Sequence, residues 1–562
     1  MSYHHISHVI FDDTCPVKYY YNSTFFASCD KRSLIKKRYF YNKCSYQSLP
    51  LILPAGGFMF LGIDCGTQGT KVLLWNEKTQ KVMTASYNVH KLISHRHSQK
   101  EQNPHDWLDA LQAGIKDVLA RAHISPKEVN GIGVSGQQHG LVILDKNDVV
   151  IRPAKLWCDT ECESQLQHYL HKYEETYQKK LSDVLGIQIP VAFTLGKLLW
   201  IKENERFNFN KIAKILLPHE YINFFLTGQY CAEPGDASGT GYFDTVQKTW
   251  CKSAVDLIEP SLYPKLPRII QSHQPHGYLS EKAARLLGLN KGIVVSSGGG
   301  DNMMSAIGTG NIAEGQLTMS LGTSGTLSTC QKKQIDSNKH RDINTFCSSS
   351  GSWLPLVSTM NVTNAINSFR QLMDISFVDF ENYLKASVPG AEGLSSFPWL
   401  NGARLPNLPG ITGSLTGMTM VNFTKPHLLR AVVEGVTFNL CRGIDIFNKC
   451  NLRFDRINLI GGGSNSPTWC QMIADITGIN VAKPLIPDAA ALGAAIQAHW
   501  CFCVSINDEP NELEYCIPDF LKTTSTSIII IEPNSRANDI YKDIYDAYHA
   551  AVDKIKIDYL NR

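Results

Sequence analysis

From Met59 onward the apolar and polar positions fall into short, readable runs. Phe60 to Ile63 is apolar, Gly66 to Gly69 is a turn, and Val72 to Trp75 is apolar again, which together predict a β-hairpin. Helical amphipathic spacing follows at Pro104 to Arg121 and Leu195 to Glu205, with strands predicted at Gly131 to Ser135, Leu141 to Leu144 and Ile293 to Ser296. Later, a strand from Ile457 to Ile460 leads through Gly461-Gly462-Gly463 into a helix. Ser466 suits its N-cap and Pro467 its first turn, Trp469, Met472, Ile473 and Ile476 share one face, and Gly478 ends it. Strands alternating with helices predict an α/β fold.

Residues 1–58 lack any such period. They hold seven of the 22 tyrosines and seven Lys/Arg against three Asp, a net of +4, so the remaining chain carries −1 of the total +3. With few aliphatic side chains to offset an ordering entropy of ~1–2 kcal/mol per residue, this stretch is expected to be a disordered extension outside the functional protein, with Met59 the functional start. Five positive charges between Lys31 and Arg38 offer a surface-binding segment as the alternative. The apolar stretch Leu49 to Leu61 is broken by Pro50, Pro54 and two glycines and is too short to cross a bilayer. Residues 1 to 48 also lack the layout of a secretory signal, so a cytoplasmic protein with no membrane partner is expected.

A chain of 562 residues, 43% hydrophobic, suits two large domains. Its 19% charged residues nearly cancel, which gives no field for a nucleic-acid partner and makes small-molecule chemistry the better expectation. Sixteen scattered cysteines look like buried thiols in a reducing compartment, and Cys158 and Cys162, spaced CxxxC, are expected to be ordinary thiols with no metal between them.

Candidate chemistry gathers at glycine-rich turns. Gly-Thr-Gln-Gly-Thr at 66–70, preceded by a strand, recurs as Gly-Thr-Ser-Gly-Thr at 322–326, also preceded by a strand. Such turns offer backbone N–H groups and hydroxyls, so two facing copies could hold a polyphosphate, whereas a single copy could be merely a tight hairpin. No GxxxxGK[ST] loop is present, and Gly131 to Gly136 matches GxGxxG without the helix that a dinucleotide site must open, despite Asp159 at 23 residues beyond. The loop at 461–463 leaves backbone bare for a ligand, or is a structural turn. Asp301, after three glycines at a strand-to-helix junction, could accept a hydroxyl proton, cap the helix, or both.

The span from Met59 to about His499 resembles the FGGY carbohydrate kinases, in particular bacterial members acting on D-xylulose. LGIDCGTQGTK at 61–71 is similar to the family's first phosphate motif, SSGGGDN at 296–302 with SLGTSGT at 320–326 to the second, and GGGSNSPTWCQMIADITG at 461–478 to the adenosine motif. Ser135 to Gly140 resembles the sugar motif, and Phe193 to Trp200 and Gly413 to Glu434 the two signature patterns. The resemblance implies two RNase H-like domains of the actin and Hsp70 class, 59–308 and 309–562, around a central cleft for nucleotide and sugar. It further implies ATP and Mg2+, with Asp64 holding Mg2+ through water. Gly66, Thr67 and Gln68 would meet the phosphates, faced by Thr323 and Ser324, while Gly462, Gly463 and Asn465 line the adenosine. Asp301 is the implied general base, and Gln138, His139 and Asn302 join it at the sugar. The resemblance makes D-xylulose phosphorylation the expected activity. Ribulose, gluconate or glycerol are the rival substrates, a non-catalytic nucleotide-dependent binder is the rival class, and the sequence leaves the oligomeric state open, a homodimer being one option. Gln138 departs from the pattern, since the best-known members carry methionine there.

Overall fold

The computed structural model describes residues 57–484, 488–507, 513–517, 521 and 528–561. The expectations for residues 1–56 lie outside the described residues.

The predicted hairpin forms as β1 (Met59–Cys65) and β2 (Gly69–Asn76), continued antiparallel by β3 (Lys81–Val89). Phe60, Leu61 and Ile63 are completely buried, and burial of each such side chain contributes ~1.5–3 kcal/mol. On the other side β1 pairs in parallel with β4 (Val129–Gly136), and the sheet is completed by β5 (Gly277–Tyr278), β6 (Val294–Val295) and β7 (Gly299–Gly300). Its order is β5-β6-β4-β1-β2-β3, with β7 also beside β4. The predicted strand at 141–144 instead joins Lys214–Leu216 in a small separate sheet.

The second sheet repeats the plan. β8 (Gln316–Leu321) and β9 (Gly325–Ser328) form its hairpin, and β10 (Asn344–Cys347), β11 (Trp353–Thr359), β12 (Arg456–Ile460), β13 (Asn480–Pro484) and β14 (Ile528–Ile531) complete the order β10-β11-β9-β8-β12-β13-β14. In both sheets an antiparallel hairpin is flanked by a parallel strand on the hairpin's first member, β4 on β1 and β12 on β8. This is the duplicated RNase H-like plan that the resemblance implies.

The helices that bear on the site are α1 (Pro104–Ala122), α2 (Thr194–Asn204), α3 (Asp301–Gly308), α4 (Lys425–Lys449), α5 (Pro467–Thr477) and α6 (Ala489–Asn507). Helix α5 is built as expected: the Ser466 hydroxyl accepts from the Trp469 N–H at 3.1 Å, and Gly478 ends it in the left-handed conformation.

Helix α6 follows the second sheet in sequence but packs on β1, β4 and α3. A Cβ on Gly62 or Gly133 would lie 1.9 Å from a backbone oxygen of α6, and at the crossing with α3 a Cβ on Gly308 or Gly493 would lie 1.8 Å from the opposite backbone. The GxGxxG run is thereby explained, because Gly133 admits a helix and Gly131 admits the Phe60 ring. Residues Ala489–Ile506 are apolar enough to cross a membrane, and that composition matches their position inside the protein, 61% buried.

Candidate functional site

Three parallel strand ends bring the first chemistry together. Asp64 near the end of β1 is in register with Ser135 on β4, and Ser135 is in register with Gly299 on β7, so Asp301, two residues on, lies at the same edge as Asp64. Ligands of open α/β sheets gather beyond such carboxyl ends. The Ser135 hydroxyl donates to Asp64 Oδ1 at 2.8 Å. Burial pushes the Asp64 carboxyl above the ordinary carboxylate range, against the Ser135 hydrogen bond and the Lys71 charge. Lys71 on β2 is itself paired with Asp488, just before α6.

Asp301 is the first residue of α3, and the cap position falls on Gly300, so the capping role considered for Asp301 is not the one observed. Its Oδ1 accepts from the Asn302 N–H at 2.7 Å and from Asn302 Nδ2 at 3.2 Å. Burial first, then the charges of Asp64 and Asp236, push the Asp301 carboxyl up to about 8. A group poised near neutral pH in such a setting has the character of an acid or base.

The expected sugar wall converges on this point. Gln138 Oε1 accepts from Asn302 Nδ2 at 2.7 Å, while Gln138 Nε2 meets Met303 Sδ at 3.4 Å. Gln138 is 5% exposed and spends both polar ends on protein. Thr326 Oγ1 donates to Asn302 Oδ1 at 3.4 Å, tying the second hairpin to the same residue. His139 adopts a left-handed backbone, φ 65°, and its ring packs 4.7 Å from Phe193 and 6.1 Å from Phe346. Burial and nearby Lys197 hold the His139 imidazole down to about 3, so it is neutral at physiological pH, and its buried Nδ1 has no hydrogen-bond partner. A Cβ on Gly239 would lie 2.3 Å from this ring, which only glycine avoids.

The two phosphate-type turns lie at corresponding hairpins. In the first, the Gly66 N–H is consumed within the turn by the Gly69 carbonyl at 3.0 Å, so this donor is internal rather than free as the motif suggested. Thr67 Oγ1 donates to Gln137 and accepts from Trp157 Nε1, both at 3.0 Å, and Gln68 is exposed. In the second, Thr323 and Ser324 are exposed, and the Gly322 and Thr323 carbonyls accept from the N–H groups of Thr363 and Val362. Of the expected adenosine residues, a Cβ on Gly462 would meet nothing within 4 Å, whereas one on Gly463 would strike the Trp469 ring at 2.4 Å. Gly462 is therefore the bare point of the loop. Gly463 is packed from within, and Asn465 is exposed and accepts from Lys483.

Gln137, Thr326, Trp157, Asp236 and Asp488 were not singled out from sequence. The first two lay inside motifs that were read for other residues, while Asp236, bonded to His219 Nδ1 at 2.7 Å, carries no local signal. Asp159, the acid that a dinucleotide site would need, is instead paired with Lys155 at 3.1 Å. Cys158 and Cys162 are free thiols.

Comparisons with known proteins show the family and the fold. The FGGY family of carbohydrate kinases matches through its N-terminal domain at residues 59–308 and its C-terminal domain at 317–501. The chain is 43% identical over 499 residues to the xylulose kinase of Haemophilus influenzae, covering 87% of this chain and 98% of that one. Among solved structures, the ligand-bound xylulose kinase and the gluconate kinase of Lactobacillus acidophilus each superpose with a TM-score of 0.79 at 24% identity, over 90% of this chain and 99% of theirs. At that identity the superpositions establish the fold.

Proposed function

The chain belongs to the FGGY family of carbohydrate kinases, and from that premise we propose that it transfers the γ-phosphoryl group of ATP to D-xylulose, forming D-xylulose 5-phosphate. The observation that carries the chemistry is the junction of Asp301, Asn302 and Gln138 at the strand ends that also present Asp64. The 43% identity to a xylulose kinase over nearly its whole length supports the choice of sugar.

Phosphoryl transfer requires an aligned hydroxyl, charge neutralisation and exclusion of water. Asp301 accepts the proton of the attacking hydroxyl, with Asn302 fixing its carboxyl and Gln138 fixing Asn302. Neutral His139 hydrogen-bonds the sugar. Thr67 and Gln68 on one domain and Thr323 and Ser324 on the other bind the phosphates, with Gly66 shaping the first turn, while Gly462 and Asn465 receive the adenosine and Gly463 seats the loop on Trp469. Asp64 and Asp301, the first raising the proton affinity of the second, are hard oxygen donors suited to Mg2+. Asp64 would hold that ion through water, and when bound it supplies positive charge to the phosphates. Asp301 ionises more readily once positive charge enters the site. Because its nucleotide is ATP, the cytoplasm is the proposed compartment.

A coupled ADP-release assay over a panel of ketoses and polyols tests the reading. The expected result is a kcat/KM for D-xylulose at least ~10-fold above that for ribulose, gluconate or glycerol, a margin of ~1.4 kcal/mol. A second reading, gluconate as substrate, draws on the equal superposition with a gluconate kinase. A higher kcat/KM for gluconate would establish it and overturn the first.

A further inference from the structure

Helix α6 carries His499 and Cys503 one turn apart, so both side chains leave the same face. Cys516 arrives from a short helical turn, Leu513–Cys516, which packs on α6. One ligand atom from each of the three residues, an imidazole nitrogen and two sulfurs, lies within 4.8 Å of the others. The His499 ring is walled by Phe60 at 5.0 Å and Trp75 at 5.7 Å, and its Nδ1 is buried without a hydrogen-bond partner.

We propose that His499, Cys503 and Cys516 bind a zinc ion, with water in the fourth position. Tetrahedral zinc with Zn–S of ~2.3 Å and Zn–N of ~2.0 Å sets its ligand atoms ~3.5–3.8 Å apart, inside the 4.8 Å within which these three atoms already lie. Two thiolates and an imidazole favour zinc over magnesium, so the site does not compete for the ion at Asp64. Among the described residues, a second convergent set, Glu101, Asp159 and Glu161, is already filled by the Lys155 ammonium, at 3.2, 3.1 and 2.7 Å. Zinc would clamp the far end of α6 to the turn at 513–516. Because α6 lies against β1 and α3, the clamp would stiffen the scaffold behind Asp64 and Asp301 without touching substrate.

The experiment is zinc analysis of the full-length chain purified under reductant, with a cobalt titration followed by the thiolate-to-cobalt charge-transfer band. Wild type and Cys450→Ser should each hold one zinc and give the band. Cys503→Ser and Cys516→Ser should each give a band of about half the intensity or less and bind zinc at least ~10-fold more weakly. Wild-type thermal stability should fall on chelation and recover when zinc is restored. A wild-type protein with free thiols but neither zinc nor the cobalt band overturns the proposal, whether or not the variants fold. So does unchanged zinc in both serine variants, and so does a Cys503–Cys516 disulfide that forms in place of metal binding.

Discussion

Replacing Asp301 with asparagine should nearly abolish turnover while making the ligand-free protein more stable at alkaline pH. The amide keeps an oxygen to accept from Asn302, but it cannot take a proton, and loss of a general base costs a factor of ~10²–10⁴. The stability change has the opposite sign. The folded carboxyl is raised to about 8 from an ordinary 3.8, so between those values the folded state binds more protons than the unfolded one. The stabilisation present below about pH 4 is therefore lost progressively as pH rises to about 8. Four pKa units correspond to at most ~5–6 kcal/mol, at ~1.36 kcal/mol each. Asp301 is only partly buried, and at an effective dielectric near ~20 the surviving difference is expected to be about 1–3 kcal/mol.

Denaturant titrations at pH 5, 7 and 8.5, without nucleotide or Mg2+, measure this directly. The midpoint of Asp301→Asn should exceed that of wild type by an amount that grows across the series. A variant less stable than wild type at pH 8.5 would refute the argument that burial, Asp64 and Asp236 disfavour the carboxylate. A variant keeping more than about half of wild-type turnover would remove Asp301 as the base.

Asp64→Asn should move the limb of kcat/KM that rises with pH to lower pH, because it removes the second-largest cause of the Asp301 shift; an unmoved limb would mean the two carboxyls do not interact. His139→Ala should raise KM for D-xylulose and lower kcat with little change in ATP affinity, on the scale of ~1–3 kcal/mol for a lost buried hydrogen bond. Because the His139 imidazole titrates near 3, the wild-type profile should show no histidine limb from it between pH 5 and 8. Gly133→Ala should lower the denaturation midpoint by the ~1–3 kcal/mol typical of overpacking, since the new methyl lies 1.9 Å from the Ala494 carbonyl oxygen; an unchanged midpoint would show that α6 can retreat freely.

The hairpins, the capped helix α5 and the glycine-rich junctions were legible because each has a local cause: a two-residue period, a turn, a hydroxyl before a proline. The pairing of the two GT turns also carried over to two sheets of matching order. What local pattern could not give was distance across the chain. Thr326 meets Asn302 because the second sheet's hairpin converges on the start of α3, and Asp236 reaches Asp301 by charge from a helical turn some 65 residues earlier in the chain. The alternative of a merely structural turn also proved partly right at 461–463, where Gly463 serves the Trp469 ring while Gly462 alone stays bare.

Helix α6 shows why the missing information matters for chemistry. Its alanine-rich run is apolar with no strong face, and nothing local assigns it to the first sheet rather than the second. The assignment lies in residues hundreds of positions away: Gly62 and Gly133 leave room for its backbone on one side, and Gly308 leaves room on the other. Those glycines sit on the strands and helix that carry Asp64, Ser135 and Asp301, so the same helix sets the spacing of the acidic pair. Asp488, immediately before α6, then adds an ion pair to Lys71 beside Asp64. One apolar helix thus couples the two halves of the chain to the carboxylates. A shift of α6 of even about 1 Å would be felt at the reacting hydroxyl, where such a misplacement can cost ~10²-fold in rate.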